Sequence, residues 1–283
     1  MKNIIILALS LLSCAVYSQN QRFIYEYKFV SDSTAKDKTE SETMYLDISK
    51  KGSKYYSHNK VVADSLIKEM DKKGTHDFKN ITFGKVDHIV EKTYPDYKIQ
   101  FFDKVDMDNY KILDDRVLDW KISPEKEKIG AFNAQKATTN FAGRQWVAWF
   151  TTEIPFQDGP YKFRGLPGLI IKIEDKNKSH SFVLAEVKNL KATEIWMSEN
   201  ERKMEFNRSI VTVDTEKYKK IYIDQRNNPT KGMKQLLAQG GKVRFLDENG
   251  KELDATKMMR DQERAAKEKN KKDNNLLELD LLK

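Results

Sequence analysis

Short runs of alternating apolar and polar residues recur along most of this chain, and that period of two restricts its fold more than any other feature. Successive side chains of a strand point to opposite faces, so such alternation marks a strand buried on one side. From Arg22 onward, Phe23, Tyr25, Tyr27 and Phe29 share one face, while Glu26 and Lys28 take the other. A polar loop is expected over 31–42. Met44, Leu46 and Ile48 then alternate again, and Lys51-Gly52-Ser53 predicts a hairpin turn into Tyr55-Tyr56. Further runs are predicted as strands at 81–89, 97–102, 110–113, 117–122, 132–141, 144–150, 169–173 and 181–187. Strands at a spacing of about ten residues, with turn signals between them, point to an antiparallel sheet in sequential order. No β-helix-β rhythm interrupts them, which argues against a parallel nucleotide-binding sheet. The expected fold class is mainly β with helices (α+β): a curved antiparallel sheet or half-barrel with C-terminal helices.

Helical spacing appears in few places. It predicts a short helix over 61–70, stopped at Lys73-Gly74. Ser198 and Glu201 form a capping box that starts a helix reaching about residue 208. Asp214 caps a second helix through Ile223, and a third short turn covers 231–239, beyond Asn228-Pro229. Residues 243–246 and 251–253 flank Asn249-Gly250, a strong hairpin signal. From Ala255 the chain is almost all charge and reads as a fraying helix. Its end, 276–281, is either a last edge strand or a disordered tail. No internal repeat is present.

The N-terminus carries a targeting pattern. Lys2 precedes an apolar run over 4–12, which is shorter than the roughly 20 residues of a membrane span. Val16 and Ser18 suit signal cleavage before Gln19. The expected organisation is therefore a signal peptide over 1–18, one β-rich domain over 19–254 and a charged tail over 255–283. A competing reading takes Leu11-Leu12-Ser13-Cys14 as a lipobox, with Cys14 lipidated. Either way the product is exported, to the periplasm or in association with the outer membrane, or is secreted. Cys14 is the single cysteine, so cleavage before Gln19 leaves no thiol for disulfide or nucleophile chemistry.

The net charge of +8 arises from 51 basic and 43 acidic residues that are interspersed. A nucleic-acid binder concentrates its basic residues on a stripe, so a mixed solvated surface is the expectation and no nucleic-acid partner is expected. His58, His76, His88 and His180 lack helical metal-ligand spacing. Asp103, Asp106 and Asp108 lie beside Asp114-Asp115, but without the glycine and distal glutamate of a calcium loop. No metal and no cofactor is expected. No nucleophile elbow, zinc motif or phosphate loop occurs. Glu153, between Trp149-Phe150 and Ile154-Pro155, is the one carboxylate set among apolar neighbours that could raise its pKa. The plainer alternative is a strand-end carboxylate paired with Arg144 or solvent. No catalytic residue is assigned.

Two corners stand out. Gly159-Pro160 is followed by Tyr161 and Phe163 as aromatic anchors. Gly165-Leu166-Pro167-Gly168-Leu169-Ile170 then leads into an apolar strand. Pro167 fixes its own φ, and Gly168 suits the positive φ of a type II turn over 166–169. Gly165 permits close approach of another backbone. Leu169, Ile171 and Ile173 are expected on one strand face. These corners read as rigid joints that position a strand, with direct ligand contact as the alternative. Arg144, Trp146, Trp149, Glu153, Tyr161 and Phe163 are the candidate binding residues around them.

The hexapeptide 165–170 resembles the signature of the GLPGLI family of exported bacterial proteins. The blocks Trp120-Lys121-Ile122, Gln135-Lys136-Ala137-Thr138, Phe141-Ala142-Gly143-Arg144, Ala148-Trp149-Phe150, Glu153-Ile154-Pro155 and 159–163 are similar to that family's pattern, in order. The resemblance covers about 85–188. Many relatives seat a cysteine before the Gln-Lys-Ala block, where this chain has Asn133-Ala134, so no thiol role carries over. The resemblance implies an envelope protein without an established activity. Its strand-rich layout is similar to periplasmic half-barrels that carry lipoproteins. Three functions are expected to compete: a binding module for an apolar ligand such as an acyl chain, a partner of an outer-membrane transport or secretion assembly, and a carboxylate-dependent hydrolase.

Overall fold

The computed structural model describes residues 20–75, 81–205, 208–247 and 250–283. The signal segment 1–18 with Cys14, His76 and Asn249 lie outside the described residues. Twelve strands form one curved, open sheet. In chain order they are β1 (Gln21–Phe29), β2 (Glu40–Ser49), β3 (Gly52–Ser57), β4 (Ile89–Thr93), β5 (Ile99–Val105) and β6 (Asp108–Asp114). Then follow β7 (Lys121–Ile129), β8 (Phe132–Phe141), β9 (Arg144–Thr151), β10 (Leu169–Asp175), β11 (His180–Asn189) and β12 (Val211–Asp214). A separate pair, β13 (Phe245–Leu246) and β14 (Glu252–Leu253), forms the expected small hairpin.

Strands β1–β6 run outward in sequence as one meander, and β11 back to β7 runs outward as another. Sequential order holds within each half. The halves join where β1 pairs antiparallel with β11, Phe23 opposite Val187 and Phe29 opposite His180. The joint is aromatic: Tyr27 stacks on Phe182 with ring centroids 4.3 Å apart, and Tyr25 and Phe23 are fully buried beside it. One strand departs from the antiparallel pattern. β12 adds to the edge strand β6 in parallel, so the sheet is mixed.

Two strand expectations need correction. Of the run 81–89, only Ile89 enters a strand. The backbone N–H groups of Lys85 and Val86 donate to the Glu42 carboxylate at 2.7 and 3.1 Å, so a side chain replaces the ladder. The run 117–122 begins too early: Val117 is exposed and the strand is Lys121–Ile129. β7 is an edge strand rich in Lys and Glu, exposed on both faces, and it carries Pro124 at a register shift. Such a strand has no burial pattern to read.

The helices are α1 (His58–Lys73), α2 (Glu199–Glu205), α3 (Thr215–Asn227), α4 (Lys231–Ala238) and α5 (Ala255–Lys272). The expected caps form. Ser198 Oγ accepts from Glu201 N–H at 3.2 Å, and Asp214 accepts from Lys217 N–H at 2.7 Å. Gly74, at φ +66, ends α1. The segment after α5 is neither an edge strand nor a disordered tail. It returns to the sheet, where Asn275, Glu278 and Leu281 are buried and 279–282 form one 3-10 turn.

Candidate functional site

The motif around 158–170 is built on a buried ion pair. Lys92 on β4 and Asp158 are both fully buried and bonded to each other. Asp158 also accepts from the Ser53 and Tyr94 hydroxyls, each at 2.6 Å, and from Gly159 N–H at 2.7 Å. Lys92 further donates to the Gly159 carbonyl at 2.7 Å. With its partners satisfied, the pair ties the Gly159-Pro160 corner to strands β3 and β4.

The two motif glycines exchange the roles expected of them. Gly168 N–H donates to the Leu166 carbonyl at 2.7 Å, closing a three-residue turn across Pro167 rather than a type II turn. A Cβ on Gly168 would lie 2.1 Å from the Thr151 carbonyl oxygen, so this is the glycine at which two backbones meet. Gly165 is the one in the left-handed region, at φ +90, with open space around it. A Cβ on Gly159 would lie 2.8 Å from the Ile170 side chain. A register shift after Ile170 in the β9–β10 pairing leaves Leu169, Ile170 and Ile171 all buried, not only alternate residues.

Beside this motif a cleft of about 1070 Å³ opens on the sheet. Tyr27, Phe29, Phe101, Tyr161, Tyr218 and Tyr222 give it an aromatic lining. The C-terminal segment supplies another wall through Leu276, Leu277 and Leu281. Tyr161 holds φ +53, a left-handed conformation that a bulky residue adopts only when its surroundings force it. Its hydroxyl donates to Glu278 at 2.6 Å. Lys162 reaches Glu278 at 2.6 Å and Asp114 at 2.9 Å, while Arg116 joins the same two carboxylates at 2.8 and 2.6 Å. Burial alone pushes the Glu278 carboxyl up, but Lys162 and Arg116 outweigh it and hold the group below its ordinary value.

Arg144 grips the backbone of the same segment. It donates to the carbonyls of Asn275, Leu276 and Leu277 and pairs with Asp175 at 3.0 Å. Gly143 admits the segment: a Cβ there would lie 3.2 Å from Asp280 N. His180 is buried with both ring nitrogens in use, Nε2 bonded to the Asn275 carbonyl and Nδ1 to the Tyr27 hydroxyl. Nε2 therefore carries the proton and Nδ1 accepts.

His88 contrasts with it. Its ring packs 5.2 Å from Tyr161 and 5.3 Å from Phe101. Among the described residues neither of its nitrogens has a hydrogen-bond partner. Loss of water around the ring, then the charge of Lys162, push its pKa down to about 4, so it is a neutral imidazole lining the cleft. Nearby, the Tyr218 hydroxyl donates to Asp103 at 2.6 Å, and burial raises that carboxyl above its ordinary range.

Of the six candidate binding residues, only Tyr161 lines this cleft. Trp146 and Phe163 are interior residues with no exposure, 4.7 Å apart between ring centroids. Trp149 lies on the other face of β9, with Lys136 at 6.0 Å over its ring. Glu153 is exposed and accepts from Asn133 N–H at 2.9 Å, while Arg144 is engaged elsewhere. His88, weighed only as a metal ligand, and Phe101, Tyr218 and Glu278 were not among the residues the sequence singled out for binding. Among the described residues no group of three or more His, Cys, Asp or Glu side chains is placed to hold a metal ion. Among them, too, no helix is long and apolar enough to cross a membrane.

Residues 140–172 match the model of a family described as a protein of unknown function (Porph_ging). That stretch contains the Gly143-Arg144 turn and the whole of 165–170. No curated protein matches the sequence. Among solved structures the chain is similar to PNGF-II in two crystal forms. The first has TM-score 0.49 and 17% identity, covering 74% of this chain and 34% of that one. The second has TM-score 0.47 and 18% identity, covering 74% of this chain and 33% of that one. The chain thus spans about a third of the length of PNGF-II. A putative outer membrane lipoprotein-sorting protein domain from Vibrio parahaemolyticus is similar at TM-score 0.24 and 7% identity, covering 70% of this chain and 95% of that one.

Proposed function

We propose that this chain is a non-catalytic, exported cell-envelope protein that binds an apolar ligand in the aromatic cleft. The observation that carries the proposal is the cleft itself: about 1070 Å³, lined by aromatic rings, with Tyr161 held at positive φ beside an unbonded His88. Concave, mostly apolar sites with a few convergent polar groups are where small ligands bind. His88, neutral and unpaired, offers one donor and one acceptor to a polar group of the ligand. Export rests on the N-terminal pattern of residues 1–18, and membership of the GLPGLI family on the blocks between 120 and 170. The non-catalytic reading rests on a sequence without a nucleophile signature and on Glu153, the marked carboxylate, lying exposed against Asn133. Native mass spectrometry of protein purified from its own envelope tests the proposal. A co-purifying lipid of defined mass supports it, and a clean apo mass under non-denaturing conditions argues against it.

A further inference from the structure

The mouth of the cleft differs from its floor. Lys38 from the loop after β1, Lys104 from β5, and Lys269 and Lys272 from the end of α5 all border it. These come from three separate elements. Lysines in the last turn of a helix answer the helix dipole, which accounts for Lys269 and Lys272 but not for Lys38 or Lys104. None of the four forms an ion pair among the described residues.

The acids of the cleft are occupied instead. Glu40 is bonded to Lys85 and accepts from Ser31. Asp273 pairs with Arg226 at 3.0 Å, and Asp103 takes the Tyr218 hydroxyl. Glu278 is shared by Lys162, Arg116 and Tyr161. Asp87 lies 4.0 Å from Lys60. Asp32 accepts from the Thr34 N–H and hydroxyl, and feels Lys272 and Lys38 at the same time. The bonds from Thr34 and Tyr218 are neutral and leave Asp32 and Asp103 without a paired base, but four unpaired lysines still outnumber them, so the rim carries surplus positive charge next to an apolar floor.

We propose that the ligand is an anionic amphiphile, its acyl chain against Phe29, Tyr27 and Tyr222 and its phosphate or carboxylate head among Lys38, Lys104, Lys269 and Lys272. This rests on the reading of the cleft as an apolar-ligand site, and it names the ligand's chemistry. A neutral amphiphile gains from the floor alone. An anionic one gains also from the rim, by an interaction between exposed charges that salt screens.

Calorimetric titration of the full chain tests this with three probes below their micellar concentrations: dodecyl phosphate, dodecyl maltoside and inorganic phosphate. The expected result is one site for dodecyl phosphate, at least about tenfold tighter than for the maltoside at low salt. That advantage is expected to vanish in a Lys104→Glu/Lys269→Glu/Lys272→Glu variant and to shrink in high salt. Inorganic phosphate is expected not to compete. All three lysines are exposed, so circular dichroism is expected to show the variant folded. Equal affinity for the two amphiphiles, or an unchanged variant, overturns the inference while leaving the cleft as a neutral apolar site. Competition by inorganic phosphate overturns it in favour of a free anion. Binding of neither amphiphile removes the cleft reading as well.

Discussion

Replacing Gly168 by alanine places a methyl group inside a neighbouring backbone. The new Cβ would stand 2.1 Å from the Thr151 oxygen, 2.6 Å from its carbonyl carbon and 3.0 Å from Thr152 N. All three are main-chain atoms, so no side chain can swing aside. Relief requires the start of β10 to move away from β9, where Leu169 faces Thr151. That movement strains three bonds: Leu169 N–H to the Ile154 carbonyl at 3.0 Å, Ile170 N–H to the Asp158 carbonyl at 2.9 Å, and the Tyr25 hydroxyl to the Ile170 carbonyl at 2.7 Å. At about 1 kcal/mol net for each, the expected loss is roughly 3 kcal/mol. Gly165→Ala is the control. Its Cβ meets nothing, and only the left-handed φ is penalised, by about 1 kcal/mol. Urea unfolding followed by tryptophan fluorescence, with Trp146 in the core as reporter, measures both. A Gly165→Ala chain less stable than Gly168→Ala, or a Gly168→Ala loss below about 0.5 kcal/mol, refutes the reasoning.

The two buried histidines are expected to contribute less stability in mild acid. His88 and His180 both sit near 4 in the folded chain, against about 6.5 unfolded. The unfolded state therefore binds more protons between those values, and stability drops as pH falls through that window, by about 2 kcal/mol per histidine at pH 5 relative to pH 8. Glu91, pushed up to about 7 by burial, works the other way over the same window, so the histidine contribution is read as the difference in pH slope between the chain and a His88→Phe variant; identical slopes from about pH 8 to pH 5 contradict it. Glu278 has a lowered folded pKa, so its contribution persists through this window and goes only in stronger acid. Glu278→Ala leaves Lys162 with Asp114 alone and Arg116 with Asp114 and Asp280, and is expected to cost about 3 kcal/mol in urea unfolding, whereas a Lys162→Met/Glu278→Leu pair recovers most of that. A double variant as unstable as the single one counts against the network. Phe29→Ala is expected to weaken acyl-ligand binding about tenfold by titration, and Trp149→Ala, off the cleft, to leave it unchanged. The reverse order of effects places the site elsewhere.

Sequence pattern reached the strands wherever one face is buried and the other wet. Tyr25 and Tyr27 alternate with Glu26 and Lys28 because one face of β1 is buried and the other is wet, and the alternation states it. The caps Ser198 and Asp214 were legible because a cap is a local event within three residues. The aromatic lining was half legible. Tyr27, Phe29 and Tyr161 carried signal, but Phe101 and Tyr218 become cleft residues only through packing between β5 and α3. Trp146 and Phe163 were drawn into the candidate set because large rings serve interiors and binding surfaces alike, and here they fill the interior. Glu278 was illegible. It is one acid among the leucines of a charged tail, and its meaning comes from Lys162 and Arg116, each more than a hundred residues away. The joint of β1 with β11 is of the same kind: both strands were recognised, but their pairing spans nearly the whole sheet in sequence. The two motif glycines show a subtler limit, since sequence says that a glycine is required without saying whether φ or space requires it.

A photoactivatable acyl probe, a diazirine-bearing fatty acid, gives the most direct reading of where the ligand lies. Irradiation of the full chain followed by peptide mapping is expected to place the label on peptides holding Phe29, Phe101 and Tyr222, with excess unlabelled fatty acid suppressing it. Label concentrated on β9 near Trp149, or spread over the surface and indifferent to competitor, contradicts the account.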